Sequence, residues 1–248
     1  MKTVICDVDG TIFHPKKKKI SEKDLNALKS LRKKGIGLVF NTSRSLEEIS
    51  WLQYDLTELC DILITSSGAL LTDFSQKAVK EIENVAAIIA DLEVNNLSYR
   101  YVTSSGKSYL NIDDPYWQDL YQEIYGHKLH VKAYENEEVI HLHYHPKDND
   151  LNYEVGKECY NNVNLIFTSR THECVNKETD KGKALAFLDY EESYGIGDGN
   201  SDYALLKACN YKIAMANGKD KLKEIADYVT SSIDDDGFYQ AMKYYQLI

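Results

Sequence analysis

The chain has 248 residues, of which 43% are hydrophobic and 27% charged, and a formal net charge of −10. It is long enough for one large domain or two modest ones with a real core. The negative balance argues against a nucleic-acid backbone or an anionic membrane surface as the main partner.

No apolar run approaches the roughly 20 residues needed to cross a bilayer. Asp7 and Asp9 interrupt any charged-then-apolar signal pattern at the N-terminus, so the expectation is a cytoplasmic protein. The five cysteines (Cys6, Cys60, Cys159, Cys174, Cys209) are scattered and form no C-x-x-C pair, which reads as reduced thiols. The nineteen tyrosines suit amphipathic packing and binding surfaces. The Lys16–Lys19 run reads as a solvated loop before a helix, and His14 as a loop residue.

In chain order, Thr3–Val8 predicts a first strand, followed by a Gly10-Thr11 turn. Ser21 with Asp24 three residues on predicts a helix start, Leu25, Leu28 and Leu31 share its apolar face, and Gly35 ends it. Ile36–Phe40 is a second strand, Ser45–Leu52 a helix and Asp61–Thr65 a third strand. This β-α-β-α-β rhythm implies a parallel sheet with right-handed crossovers.

Between about residues 74 and 177 the rhythm changes. A helical pattern covers Val79–Leu92 and another Trp117–Tyr125. Ser98–Val102, Ser108–Asn111, Val139–His145 and Val163–Ser169 read as strands. From Lys181 single alternation resumes: helical Ala184–Leu188, strand Tyr194–Gly197, helix Tyr203–Cys209, strand Lys212–Met215, helix Asp220–Ala226 and a closing helix from Tyr239. The expectation is an α/β core of residues 1–73 and 178–248 with an α+β insert of residues 74–177.

In open α/β sheets, ligands bind outside the carboxyl ends of the strands. Those ends carry Asp7 and Asp9, Thr42 and Ser43, Ser67 and Gly68, Asp198 and Asp202, then Asn217, with Lys181 just before the fourth strand. Two like charges at the mouth of an apolar strand need a cation or a function. The carboxylates suit a hard divalent cation such as Mg²⁺. The hydroxyls, the glycine-loosened amides and the lysine suit an anion with tetrahedral oxygens. Together they point to phosphoryl transfer.

Asp7-Val8-Asp9-Gly10-Thr11, Thr42, Lys181-Gly182 and Gly197-Asp198-Gly199-Asn200-Ser201-Asp202 resemble, in order, the four motifs of the haloacid dehalogenase-like (HAD) phosphohydrolases. Ile20-Ser21, Asn41-Thr42-Ser43-Arg44, Ser67-Gly68-Ala69 and Ile213–Gly218 look like the Cof-type subgroup, which carries a C2B cap where the insert lies. The resemblance implies a Rossmann-like core and a Mg²⁺-dependent phosphatase of small phosphorylated metabolites, sugar phosphates above all. In that reading Asp7 is the nucleophile and Asp9 the general acid and base. Asp7, Asp198 and Asp202, with the Asp9 carbonyl, serve the metal. Thr42, Ser43, Lys181 and the amides at Gly10 hold the phosphoryl oxygens. Arg44, Ser67, Gly68, Ser201 and Asn217 support the site or meet substrate. Ser201 and Ser67 stand where the family commonly has asparagine. A sugar phosphomutase and a non-catalytic phospho-ligand binder are the alternatives, and the assembly expected is a monomer or weak homo-oligomer.

His141, His143 and His145 alternate with Leu142 and Tyr144 and so share one strand face. A solvated sheet face is the expectation. A substrate-facing role and a metal site are the alternatives, the metal requiring a third element because same-face neighbours in a strand lie roughly 6–7 Å apart.

Overall fold

The computed structural model describes residues 1–52, 54–145, 162–167 and 171–248. Cys159 and the end of the strand expected at Val163–Ser169 lie outside these residues.

The chain opens with β1 (Lys2–Cys6), a small hairpin of β2 (Phe13–His14) and β3 (Lys19–Ile20), then α1 (Glu22–Lys33). β1 stops two residues earlier than its apolar run suggests. The Val8 carbonyl accepts the N–H groups of Ile12 (3.0 Å) and Phe13 (2.8 Å), so Val8 belongs to the turn and not to the ladder. In α1 the Ser21 hydroxyl accepts the Asp24 N–H, and Arg32 and Lys33 close the last turn where the helix dipole favours cations.

Next come β4 (Gly37–Asn41), α2 (Leu46–Ser50), α3 (Leu56–Leu59) and β5 (Ile62–Thr65). A tight turn at Ser66–Gly68, with positive φ at all three residues, reverses the chain into β6 (Leu70–Thr72) and β7 (Lys77–Val79). The pairing β5·β6·β7 is antiparallel, a hairpin the sequence pattern did not suggest. Val79 is consequently a strand residue, and the helix expected from Val79 begins later as α4 (Val85–Val94).

The insert continues through β8 (Tyr99–Thr103), β9 (Ser108–Leu110), α5 (Pro115–Tyr125), β10 (His130–Val131), β11 (Val139–Tyr144), β12 (Val163–Phe167) and β13 (His172–Asn176). α5 starts on an Asp114 cap with Pro115 in its first turn, and Gly126 ends it. The chain then returns through a 3₁₀ turn at Lys183–Phe187 into β14 (Glu192–Gly197), α6 (Asp202–Ala208), β15 (Tyr211–Ala214), α7 (Asp220–Ile225), β16 (Tyr228–Val229) and α8 (Gly237–Tyr244).

Two large sheets result. The first runs β16-β15-β14-β1-β4-β5-β6-β7, parallel from β16 to β5. Apolar clusters cover both its faces. One includes Leu28, Leu31 and Phe238 from α1 and α8; the other includes Leu185, Leu205 and Leu222. The second sheet runs β10-β9-β8-β11-β13-β12 and is antiparallel except for β10·β9. The helix α4 buries Val85, Ile88, Ile89 and Leu92 against Tyr99, Tyr101, Leu142 and Tyr144 of this sheet. Among the described residues no helix is long and apolar enough to cross a membrane.

The histidine expectation is corrected here. His141 is fully buried and His143 nearly so, because the second sheet's other face is covered by the first domain and not by water. Val102, Ile140 and Val175 pack there against Ala69 and Leu70. His145, half-buried, lies with its ring 3.9 Å from the ring of Tyr116.

One buried acid outside the cleft gives a stability prediction. The Asp24 Oδ1 accepts the Tyr239 N–H at 2.9 Å, joining α1 to α8, while Oδ2 is buried with no hydrogen-bond partner. Burial pushes this carboxyl up to about 6. A folded-state value above the unfolded one means the residue's contribution is present at low pH and lost as pH rises through about 6. Asp24→Asn, which keeps the Oδ1 acceptor, is expected to stabilise the protein by about 1–3 kcal/mol near pH 8 and by much less near pH 4. Thermal unfolding at the two pH values checks this; a variant no more stable near pH 8 would contradict it.

Candidate active site

The parallel strands end on one side of the sheet, and the sequence-predicted acids meet there. Asp7 follows β1 and its N–H donates to the Ile196 carbonyl at 3.0 Å, which locks it beside the end of β14. Asp198 follows β14 directly, and Asp202 opens α6. One carboxylate oxygen from each of Asp7, Asp198 and Asp202 lies within 4.8 Å of the others. Gly10 has φ +84°, and a Cβ at this position would collide with the Asp198 carboxylate. The glycine therefore does two things: it takes the left-handed turn and lets the Asp7 loop close on Asp198.

Lys181 is 2% exposed and sits among these acids. Its Nζ donates to Asp7 Oδ1 and to Asp202 Oδ1, each at 2.6 Å. Burial works against its charge, but Asp202 and Asp7 more than offset that and hold the ammonium firmly protonated. The remaining Asp202 oxygen accepts the N–H groups of Asp198 (3.0 Å) and Gly199 (2.8 Å), so Asp202 braces both the lysine and the loop. Burial first, then the Asp202 charge, holds the Asp7 carboxyl well above the ordinary carboxylate range. The same two causes push Asp198 up to about 7. Oxygen donors so crowded, short of charge compensation and open to a cavity form a donor set that fits a hard divalent cation.

Asp9 is held differently. Arg44 Nε and Nη2 donate to its two oxygens at 2.7 and 2.6 Å, a bidentate fork. The guanidinium lies 4.4 Å from the Tyr125 ring centroid. Thr42 is buried, and its hydroxyl accepts the Arg44 N–H at 3.1 Å. Thr11 Oγ lies 3.3 Å from both Asp7 Oδ2 and Asp198 Oδ1. Asn217 donates to the Gly10 carbonyl at 2.9 Å and buttresses the turn.

These groups floor a cavity of about 740 Å³ roofed by the insert. Thr42, Ser43, Lys181 and Ser201 line it from below; Trp117, Tyr121, Tyr125, His143 and Glu173 line it from above. Ser67 sits apart from the carboxylates: it is fully buried, with Oγ 2.9 Å from Ser43 Oγ and 2.9 Å from Glu173 Oε2. Gly68 (φ +99°) permits a close approach to the Asp180 carbonyl and so seats the segment that carries Lys181. Lys16 and Lys18, exposed in the turn before α1 as the solvated-loop expectation has them, also border the cavity.

Several site residues left no readable signal. Glu48 is buried in α2, where it completes a capping box with Ser45. Its Oε1 accepts from Arg100 Nη2 (2.5 Å), Tyr121 Oη (2.9 Å) and Ser108 Oγ (2.9 Å), all from the insert. Ser45-x-x-Glu48 is recognisable as a cap, but nothing near it in sequence announces the arginine 52 positions away. Glu173 lies in a strand with no motif around it.

A family model described as haloacid dehalogenase-like hydrolase matches residues 4–242. The chain belongs to that family, in its Cof-type branch. It is a phosphoric monoester hydrolase. It is 25% identical, over its whole length and 96% of the relative, to the 5-amino-6-(5-phospho-D-ribitylamino)uracil phosphatase YcsE of Bacillus subtilis. It is 22% identical to a phosphoglycolate phosphatase of Methanothermobacter thermautotrophicus, with 98% of each chain covered. Among solved structures, a HAD subclass IIB sugar phosphatase superposes with a TM-score of 0.86 at 24% identity, covering 100% of both chains. A haloacid dehalogenase-like hydrolase from B. subtilis superposes with a TM-score of 0.83 at 22% identity, covering 98% of this chain and 99% of the other.

Proposed function

We propose that the protein is a Mg²⁺-dependent phosphatase of small phosphorylated metabolites, sugar phosphates foremost, acting through an aspartyl-phosphate. The observation that carries this reading is the Asp7 carboxylate, buried on a cavity floor with Lys181 Nζ at 2.6 Å and a second, separately held acid two residues on. Asp7 attacks phosphorus as the bond to the leaving alkoxide breaks, and Asp9 gives that oxygen its proton. Asp9 then takes a proton from the water that attacks the aspartyl-phosphate, which frees inorganic phosphate and restores Asp7. Thr42, Ser43, the Gly10 amide region and Lys181 hold the phosphoryl oxygens through both steps. Asp7, Asp198 and the Asp9 carbonyl would hold the cation, with Asp202 beside them. When bound, Mg²⁺ offsets the charge shared by Asp7 and the phosphoryl group. In this structure Arg44 occupies both Asp9 oxygens, so Asp9 carries the proton on an oxygen freed from that fork when substrate is bound.

Residues 74–177 serve as the C2B cap over residues 1–73 and 178–248, excluding bulk water and selecting the leaving group. A cavity of about 740 Å³ is a small-molecule volume, and its aromatic roof suits the apolar face of a sugar or ribityl chain. The phosphatase names of the relatives support this class of substrate. Lys16 and Lys18 give the rim a positive edge that draws in an anion. The enzyme works in the cytoplasm as a monomer or weak homo-oligomer; its four described cysteines are all buried free thiols, in keeping with a reducing compartment.

The test is phosphate release from p-nitrophenyl phosphate and then from a panel of phosphorylated metabolites, with Mg²⁺ and with EDTA. Metal-dependent hydrolysis, highest in kcat/KM on sugar phosphates, is expected. Equal rates in EDTA, or no release from any ester, would reject the reading.

A further inference from the structure

A second cluster of metal-type donors lies in the cavity roof, built on the cap strands β11 and β13 and separate from the Asp7, Asp198 and Asp202 group. It consists of His141, His143 and Glu173. The register of the sheet explains how it forms. His143 is the direct cross-strand partner of Glu173, and His141 lies two residues along on the same strand. Two same-face strand neighbours would normally sit too far apart to share an ion. Here the rings turn toward each other, with centroids 4.1 Å apart. Glu173 supplies the third donor from a different strand.

The ring nitrogens and the carboxylate converge on one point. His143 Nε2 lies 2.8 Å from His141 Nε2. Glu173 Oε2 lies 3.1 Å from His141 Nε2 and 4.0 Å from His143 Nε2. His141 Nε2 thus faces a carboxylate oxygen and a second ring nitrogen at once. An N–H on His141 Nε2 can point at only one of them, and if His143 Nε2 donates instead, the bare His141 nitrogen faces the Glu173 carboxylate oxygen. A divalent cation placed among the three would satisfy all of them. For a four-coordinate ion with bonds of about 2.0–2.1 Å, ligand atoms sit roughly 3.3 Å apart, a value the three distances bracket.

Among the described residues the fixed positive charge beside the cluster is Arg100, the cross-strand partner of His143 on the other side. Its guanidinium is already engaged by Glu48 through Nε at 2.9 Å and Nη2 at 2.5 Å. Ser67 Oγ, 2.9 Å from Glu173 Oε2, steadies the carboxylate. His141 and Glu173 are buried, while His143 and Glu173 line the cavity, so an ion can enter and keep a coordination position open toward it.

We propose that His141, His143 and Glu173 form a second metal site that takes a borderline-soft divalent ion of the Zn²⁺ class, in contrast to the all-oxygen cluster on the cavity floor. Two nitrogens and one carboxylate are a donor set for such ions, whereas Mg²⁺ strongly prefers oxygen.

The experiment uses the full-length protein freed of metal with EDTA and then held in excess Mg²⁺. Titration with Co²⁺ is read by visible absorption, and titration with Zn²⁺ by calorimetry. One equivalent of Co²⁺ is expected to give the intense bands of a four-coordinate, nitrogen-ligated ion, and Zn²⁺ to displace it. His143→Gln and Glu173→Gln should each weaken that binding at least tenfold. Asp198→Asn should leave the bands in place. A weak six-coordinate spectrum in the unaltered protein would overturn the proposal without recourse to any variant. So would bands that survive both cap substitutions, or bands that vanish with Asp198→Asn.

Discussion

Asp7→Asn is expected to lower turnover by at least about 10³-fold while leaving the protein folded. Asparagine has nearly the same shape but an amide where the attacking carboxylate oxygen stood, so the covalent step has no nucleophile. The fold should tolerate the change. Asp7 is 5% exposed, and burial and then the Asp202 charge hold its carboxyl well above the ordinary range. A folded-state value raised in this way means that the ionised side chain costs stability at neutral pH, and the neutral amide removes that cost. Lys181 keeps its second partner, Asp202, at 2.6 Å. Inactivity should therefore come with an unfolding temperature, measured in EDTA, equal to or above that of the unaltered protein. Steady-state kinetics beside a thermal melt checks both halves. Hydrolysis within tenfold of normal would sink the nucleophile assignment, and a lowered melting point would mean that the lost activity reports misfolding.

Glu48→Gln should produce a large loss of stability. Glu48 and Arg100 are 1% and 0% exposed, and they join α2 to β8 of the second sheet. Arg100 opposes the burial penalty on Glu48 and keeps its carboxyl below the ordinary value. Removing one member of a buried ion pair strands the other charge, at a cost of about 3–5 kcal/mol. Tyr121 and Ser108 would lose their ionised acceptor in the same step. Activity should also fall, because Arg44 Nη1 donates to the Glu48 carbonyl at 3.2 Å while its fork holds Asp9. A double variant, Glu48→Gln with Arg100→Met, should recover much of the loss by removing the stranded guanidinium. Denaturant unfolding of the single and double variants decides the matter. A single-variant cost below about 1 kcal/mol would mean that the pair is not a clamp between domain and cap.

The carboxylate arrangement also explains why the Ser201 and Ser67 departures are tolerable. The loop before α6 is held by Asp202, which accepts two main-chain N–H groups, and by Asn217 on the Gly10 carbonyl. Those contacts require nothing of Ser201. Ser67 is short enough to fit, fully buried, between Ser43 and the cap residue Glu173. A longer asparagine there would have to displace one of them.

By itself the sequence determined the parallel core and the acids at its strand ends. Both rest on local order: a β-α-β rhythm forces right-handed parallel crossovers, and the carboxyl ends of parallel strands must then lie together. Asp7, Asp9, Asp198 and Asp202 could be collected on that rule alone, and Lys181 by its place ahead of the fourth strand's motif. Only the tertiary structure decided what faces them. Glu48 clamps Arg100 because two layers meet, and a contact between layers has no sequence period, while Arg44 forks onto Asp9 because β1 and β4 are neighbours in the sheet. The same holds for the histidines of β11. Alternation placed them on one face but could not say whether water or another domain would cover it. The reversal at Ser66–Gly68 into an antiparallel hairpin was equally unreadable, since two non-glycine residues with positive φ leave little compositional mark. The opening pair of acids was therefore legible as a site from its own spacing, whereas its roof, its clamp and its neighbouring His-His-Glu cluster exist only where the second sheet packs against the first.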